Sequence, residues 1–243
     1  VRFNTIPASS IMVLGDTAIT TTVPSPAMDG PVTVVNQNGC SATSSQNFDY
    51  LDYYGNMNLK VLIEGYNDNG FMVPALVNRG LSPNFFEVDT VRLLLADSAN
   101  PSIIIDSAKA VLDVFGTAGF QFRGVHVGRS YYLIFRTMNT IETWSSEPIL
   151  LNTQTTYDFT DGANKAYGDN QTEVEPGVWA IYSGELNADG FIDPFDAVIW
   201  EALNIGFSFG YFPADLNGDG YVDTFDSPFL EQNNLNFVSA LRP

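Results

Sequence analysis

Glu185-Leu186-Asn187-Ala188-Asp189-Gly190-Phe191-Ile192-Asp193-Pro194-Phe195-Asp196 recurs thirty positions later as Asp215-Leu216-Asn217-Gly218-Asp219-Gly220-Tyr221-Val222-Asp223-Thr224-Phe225-Asp226. The match runs on through Glu201/Glu231, Asn204/Asn234 and Phe207/Phe237. Oxygen-bearing side chains at positions 1, 3, 5, 9 and 12 of a loop, with glycine at 6, are what a hard cation with six to eight oxygen ligands demands. The glycine takes positive φ to reverse the chain, and position 7, Phe191 or Tyr221, offers its backbone carbonyl. Ile192 and Val222 at position 8 are expected to face each other across the paired loops. Asp196 and Asp226 fall in the first turn of a following helix, where a carboxylate suits the positive end of the dipole. Asp193 followed by Pro194 reads as N-cap and first helical residue.

Charge supports the same reading. Glu185, Asp189, Asp193, Asp196, Asp215, Asp219, Asp223 and Asp226 place eight of the chain's 28 carboxylates in these two loops. Without cations they repel, so two Ca²⁺ ions are expected as cofactors of folding. Mg²⁺ fits less well, because it demands near-octahedral geometry and keeps its water.

The duplicated pattern resembles the dockerin family, in which two loop-helix segments pack antiparallel around two calcium ions. The resemblance covers roughly residues 181 to 240. It implies that Glu185, Asn187, Asp189, Asp193 and Asp196 and their counterparts Asp215, Asn217, Asp219, Asp223 and Asp226 are the side-chain ligands. Two departures stand out: Glu185 replaces Asp at position 1, and positions 10 and 11 are Pro194-Phe195 and Thr224-Phe225 where cellulosomal dockerins carry small or hydroxyl residues that contact cohesin. Pro228 falls early in the second helix, where only the first turn tolerates it.

Upstream the chain is β-prone. Strand signals recur at Leu59 to Glu64, Val88 to Ala96, Ile103 to Val114 with a break inside, Gly119 to Arg123, Tyr131 to Thr137 and Ile149 to Asn152. Turn chemistry such as Asn67-Asp68-Asn69-Gly70 separates them, and no helix-period stretch of ten residues precedes residue 190. The expected fold is all-β: an antiparallel, immunoglobulin-like β-sandwich with a small C-terminal module of two calcium loop-helix segments. The divisions read as a β-prone N-terminal segment over 1–50, the sandwich over 51–160, a connector over 161–184 and the calcium module over 185–240. In the first segment, β-branched runs at Ile11 to Leu14, Thr17 to Val23 and Val32 to Val35 lack a clear home. Ser41 to Asn47 reads as a linker into an aromatic cluster, Phe48, Tyr50, Tyr53 and Tyr54.

Leu59 to Tyr66, Tyr131-Tyr132-Leu133, Ile141 to Ser145, Tyr157-Asp158-Phe159, Ala166-Tyr167-Gly168 and Val178-Trp179, standing before the duplicated loops, are similar to the β-sandwich plus dockerin-like C-terminal region of large secreted and cell-surface proteins of Bacteroidetes-type bacteria. That resemblance implies export and a structural or adhesive role. Asp16-Thr17-Ala18, Asp89-Thr90-Val91, Asp97-Ser98-Ala99 and Asp106-Ser107-Ala108 resemble the short O-glycosylation pattern of that phylum, and Asn170-Gln171-Thr172 is a formal N-glycosylation sequon.

Composition bounds the rest. Ten Lys and Arg against 28 Asp and Glu leave −18, so nucleic acid and anionic bilayers are repelled. No apolar run approaches the 18 or so residues of a membrane span. The chain opens at Val1 with neither Met nor a basic-then-apolar leader, the pattern of a processed or cut chain. A single Cys40 forbids an intrachain disulfide and reads as an inert, packed thiol, and a single His126 excludes His-rich metal sites. No Gly-x-Ser-x-Gly elbow exists, and Glu142, Glu147, Glu173 and Glu175 are the candidate carboxylates for glycosidase chemistry. A non-enzyme is expected: a calcium-stabilised extracellular structural protein, the subunit of a fibre, sheath or layer that self-assembles through strand edges. The alternatives are a dockerin-type module that docks to a cohesin-like receptor or another surface protein, with Phe195 and Phe225 as the contact pair, and a carbohydrate-binding protein using Trp144 and Trp179.

Overall fold

The computed structural model describes residues 1–24, 27, 29–48, 55–123 and 125–243, which fall into two compact units, Val1–Asp52 and Tyr53–Pro243. Tyr50, Tyr53 and Tyr54 of the aromatic cluster lie outside the described residues.

The first unit holds β1 (Arg2–Phe3), β2 (Ile6–Pro7), β3 (Ser10–Val13), β4 (Ile19–Thr22), β5 (Gly30–Val35) and β6 (Ser41–Phe48). They form an antiparallel sheet in the order β2-β1-β5-β6 and a separate β3–β4 hairpin. Ser41 to Asn47, expected as a linker, is the body of β6. Its polar composition hides the strand, because cross-strand hydroxyls do the pairing: Thr33 and Thr43 meet Oγ1 to Oγ1 at 3.1 Å, and Val32 N–H donates to Ser44 Oγ at 2.9 Å. Asn36 Oδ1 accepts the N–H groups of Asn38 and Cys40 and so closes the β5–β6 turn. That turn leaves Cys40 exposed, not packed as expected.

The second unit begins with β7 (Gly55–Lys60), the short strands β8 (Asn67–Asp68) and β9 (Phe71–Met72), and the single-turn α1 (Ala75–Asn78). There follow β10 (Glu87–Asp97), β11 (Ile104–Asp113), β12 (Thr117–Phe122), β13 (Ser130–Arg136), β14 (Thr143–Trp144), β15 (Ile149–Leu150), β16 (Thr155–Asp158), β17 (Thr172–Glu175) and β18 (Val178–Ala180), then α2 (Pro194–Ile205) and α3 (Ser227–Leu235). One sheet runs β11-β10-β13-β14 with β15 also on β13, the other β12-β7-β16. Met57, Leu59, Phe120 and Phe122 from the second sheet and Val91, Leu93, Leu95, Leu133 and Phe135 from the first share one buried core. Strict alternation along β12 shows the cause, since Ala118, Phe120 and Phe122 are buried while their neighbours are exposed. Each fully buried Phe contributes about 1.5–3 kcal/mol over exposure.

The chain is mostly β and mostly antiparallel, but among the described residues β16 pairs with β7 in parallel, Thr155 opposite Met57 through Asp158 opposite Lys60, and Ile63 and Ile181 form an isolated parallel bridge. On the outer face of β10 and β13, Leu94, Ala96 and Ile134 make a second, smaller cluster under Trp144. Trp144 is thus a packing residue, its Nε1–H held by Glu142 at 2.7 Å. Among the described residues no helix is long and apolar enough to cross a membrane.

Candidate metal centre

The first loop is organised by its own carboxylates. Glu185 Oε1 accepts the N–H groups of Asn187 and Ala188, at 3.1 and 2.7 Å, and its Oε2 accepts that of Gly190 at 2.5 Å. Asp196 reaches back from α2: Oδ1 takes the N–H groups of Leu186 and Asn187, and Oδ2 that of Asp193. Asn187 Oδ1 accepts Asp189 N–H, and Asp189 Oδ1 accepts Phe191 N–H. Asp193 caps α2 in a reciprocal box with Asp196, with Pro194 in the first turn, as its sequence implies.

The second loop repeats most of these bonds, without a counterpart of the Asn187 N–H to Glu185 bond, and Asp226 stands as the N-cap of α3 instead of inside its first turn. Asp215 accepts Gly218 N–H and Gly220 N–H, Asp226 accepts those of Leu216, Asn217 and Asp223, and Asn217, Asp219 and Asp223 close the same turns. Gly190 and Gly220 share φ of +92°, the reversal that position 6 needs.

The position-8 residues take separate backbone partners. Ile192 N–H donates to Val238 O, and Val222 N–H to Ser208 O, both at 2.9 Å. Gly190 O accepts from Ala240, and Gly220 O from Gly210, both at 2.8 Å. Each loop therefore pairs with the segment that follows the other repeat's helix. The two repeats are interlocked about a pseudo-twofold relation, and separate loops laid side by side would not be.

Burial makes these carboxylates costly. Asp196, Asp215 and Asp226 are fully buried, and desolvation pushes Asp226 up to about 7 and raises Asp196, Asp215 and Glu185 against the pull of their backbone bonds. Asp196 and Asp226 have backbone donors but no ion pair among the described residues. All-oxygen donors from Asp, Glu, Asn and peptide carbonyls are of the type that suits a hard cation. No three His, Cys, Asp or Glu side chains converge as a ready-made cage among the described residues. Phe191 and Tyr221, at position 7, turn their side chains to solvent.

One partner of the second loop has no signal in the repeat. Arg79, just past α1, is buried and donates Nε–H to Asp215 Oδ2 at 2.7 Å and an Nη2–H to Asp215 O at 2.9 Å. The same Nη2 meets Tyr66 Oη at 2.6 Å, and Nη1 meets Asp89 Oδ2 at 3.3 Å. Tyr211 Oη closes the network onto Asp89 Oδ1 at 2.8 Å. Arg79 belongs to no motif read from the sequence, and the short Asp89-Thr90-Val91 pattern says nothing of this network, in which Asp89 is buried.

Two further sequence features lie at this end. Phe195 and Phe225 do not pack under the helices, being 70% and 71% exposed. The Asn170 sequon is buried, and its amide nitrogen donates to Ser239 O at 2.9 Å, which leaves no room for a glycan.

No protein-family model and no curated protein matches the chain. Among solved structures, an N-terminal interface mutant of a type II cohesin–X-dockerin complex from Acetivibrio cellulolyticus aligns at 12% identity and a TM-score of 0.39, over 76% of this chain and 97% of that one. A shared fold does not follow from a likeness of that size.

Proposed function

We propose that the chain is a non-enzymatic, calcium-stabilised extracellular structural protein that assembles with further copies of itself through the open edge of β6. The observation that carries this is the edge itself. β6 pairs with β5 on one side and with no strand on the other among the described residues. Its eight residues, Ser41 to Phe48, hold no charge and no proline, the devices that ordinarily block edge pairing. Residues 1–48 carry one Arg and two Asp in a chain of net −18, so copies approach there with least repulsion. Phe3 and Ala27 are the buried apolar side chains of that unit among the described residues, too few for a sheet to stand alone. Strand addition would supply main-chain hydrogen bonds without special side chains.

Calcium enters as the resident cofactor of the two loops. Glu185, Asn187, Asp189, Asp193 and Asp196 would hold one ion, Asp215, Asn217, Asp219, Asp223 and Asp226 the other, with the Phe191 and Tyr221 carbonyls. A bound ion neutralises carboxylates that burial otherwise penalises, so it holds the C-terminal segments in place. The extracellular setting rests on the resemblance to secreted surface proteins.

A second reading, a module that docks to a different protein, is favoured by a specific feature. Phe207 and Phe237 stand at φ of +50° and +55° with 90% and 88% of their surface exposed. With Phe195 and Phe225 they form a duplicated set of anchors.

The deciding experiment is electron microscopy and sedimentation of the chain in millimolar calcium, beside the Ala42→Lys/Gln46→Lys variant. Fibres or sheets from the native chain, and monomers from the variant with unchanged thermal unfolding, support edge assembly. Monodisperse native protein overturns it and leaves the docking reading.

A further inference from the structure

The two loops share most of their internal bonds but not their surroundings. The second is built into the sandwich. Asp215 and Leu216 are fully buried, Arg79 grips both the carboxylate and the carbonyl of Asp215, and Asn139 Nδ2 reaches the same carbonyl at 3.4 Å. Asn78 Nδ2 donates to Gly218 O at 2.8 Å. The approach is so close that a Cβ on Gly65 would lie 2.0 Å from Leu216 O, and one on Gly220 2.6 Å from Asn78 O. Every one of these anchors comes from residues 65 to 139, far from the repeat in sequence.

The first loop has no such clasp. Glu185 is bonded only to its own loop's N–H groups, and no guanidinium or ammonium pairs with it among the described residues. Asn187 and Asp189 are both exposed.

Arg79 binds the oxygen of Asp215 that Gly220 N–H also occupies, Oδ2, while Oδ1 takes a single backbone bond, from Gly218. A donor on the outer oxygen orients a ligating carboxylate and offsets its desolvation, the role that partners outside a metal's own ligand set fill elsewhere. Resting on the calcium reading above, we infer that the two ions are unequal: the second loop holds a structural ion fused to the sandwich through Arg79, and the first loop holds an exchangeable one. The ordering cost of the second loop is met by the sandwich, whereas the first loop must order its own chain on binding. The exchangeable ion then controls Glu185 to Asp196, the start of α2 and the paired segment Val238 to Ala240, and leaves the sandwich intact.

The test is hydrogen exchange with mass spectrometry on the full chain across calcium buffers. Peptides over 215–226 are expected to keep protection to at least about tenfold lower free calcium than peptides over 185–196, the equivalent of one charge-assisted hydrogen bond. Coincident loss of protection, or earlier loss in the second loop, overturns the inference. Protection that is independent of calcium in both loops overturns instead the calcium reading beneath it. The Arg79→Lys variant keeps a cation but loses the fork. In folded variant the two transitions are expected to converge, and an unchanged gap counts against Arg79. The native chain's exchange decides the inequality whether or not the variant folds.

Discussion

Ile192 donates its backbone N–H to the carbonyl of Val238 at 2.9 Å, and both side chains are buried. The segment that completes the first loop thus arrives after the second helix. Truncating Val238 to Ala removes roughly two methylene equivalents, about 1.5 kcal/mol of burial. Because Val238 touches loop 1 and its counterpart Ser208 serves loop 2, the Val238→Ala variant is expected to weaken calcium binding at the first loop alone. Calorimetric titration checks this: loss at both sites, or at neither, contradicts the interlocked arrangement.

Phe207 and Phe237 follow helices α2 and α3 at positive φ, where a bulky side chain costs about 1–2 kcal/mol and glycine costs nothing. Their rings are almost wholly in solvent, so little packing is lost with them. Phe207→Gly and Phe237→Gly are each expected to raise the unfolding free energy by about 1 kcal/mol. A fall in stability would show that the rings pack after all. If a partner protein docks on these anchors, the same changes weaken its capture, and stability and binding move in opposite directions.

Gly65 is the point where the sandwich touches the second loop, and a Cβ there meets Leu216 O at 2.0 Å. Gly65→Ala is expected to cost several kcal/mol and to release the second loop. Gly119→Ala serves as control, since its Cβ would lie 3.6 Å from Asn58 Oδ1, an ordinary contact. Thermal unfolding of both in saturating calcium makes the comparison, and equal midpoints would contradict the tight seam.

Much of this architecture was legible before any coordinates. Leu93, Leu95 and Phe135 sit in β-branched and aromatic runs whose burial follows from period and composition. Asp193-Pro194 announces the start of α2 by cap chemistry alone. Other features carry no local signal. The parallel β16–β7 pair depends on where the chain returns after Leu151, and Arg79 acquires its meaning only when residues 66, 89 and 215 meet. β6 was misread because serine and threonine mark loops by frequency, yet form strands when hydroxyls pair across them. The backbone partners of Ile192 and Val222, Val238 and Ser208, carry no local signal because a repeat in sequence says nothing about which copy completes which.

Glu64 links the sandwich to α3, its Oε2 accepting Ser183 N–H at 2.9 Å and Asn233 Nδ2–H at 2.6 Å. Burial raises it above its ordinary 4.5 despite those bonds. The folded chain therefore binds this proton more tightly than the unfolded chain, and the stability that Glu64 contributes is complete below about 4.5 and is lost as pH rises through the raised value. Glu64→Gln keeps the acceptor without the charge. At saturating calcium, its stability is expected to fall less than the native chain's as pH rises from 4.5, with the gap widening toward neutrality. Parallel curves would show that Glu64 is not the group responsible.

Cys40 gives a direct reading of assembly. It is exposed at the turn that feeds β6, its N–H held by Asn36 Oδ1 at 2.9 Å, so alkylating reagents reach it in the isolated chain. A second copy added along the β6 edge would lie beside Ser41 and Ala42, within one residue of the thiol. Maleimide labelling is therefore expected to be fast at low protein concentration and to slow several-fold as assemblies form, while the Ala42→Lys/Gln46→Lys variant labels at one rate throughout. Labelling that stays fast in visible fibres would place the contact elsewhere and would turn attention from β6 to the exposed aromatics of the C-terminal repeats.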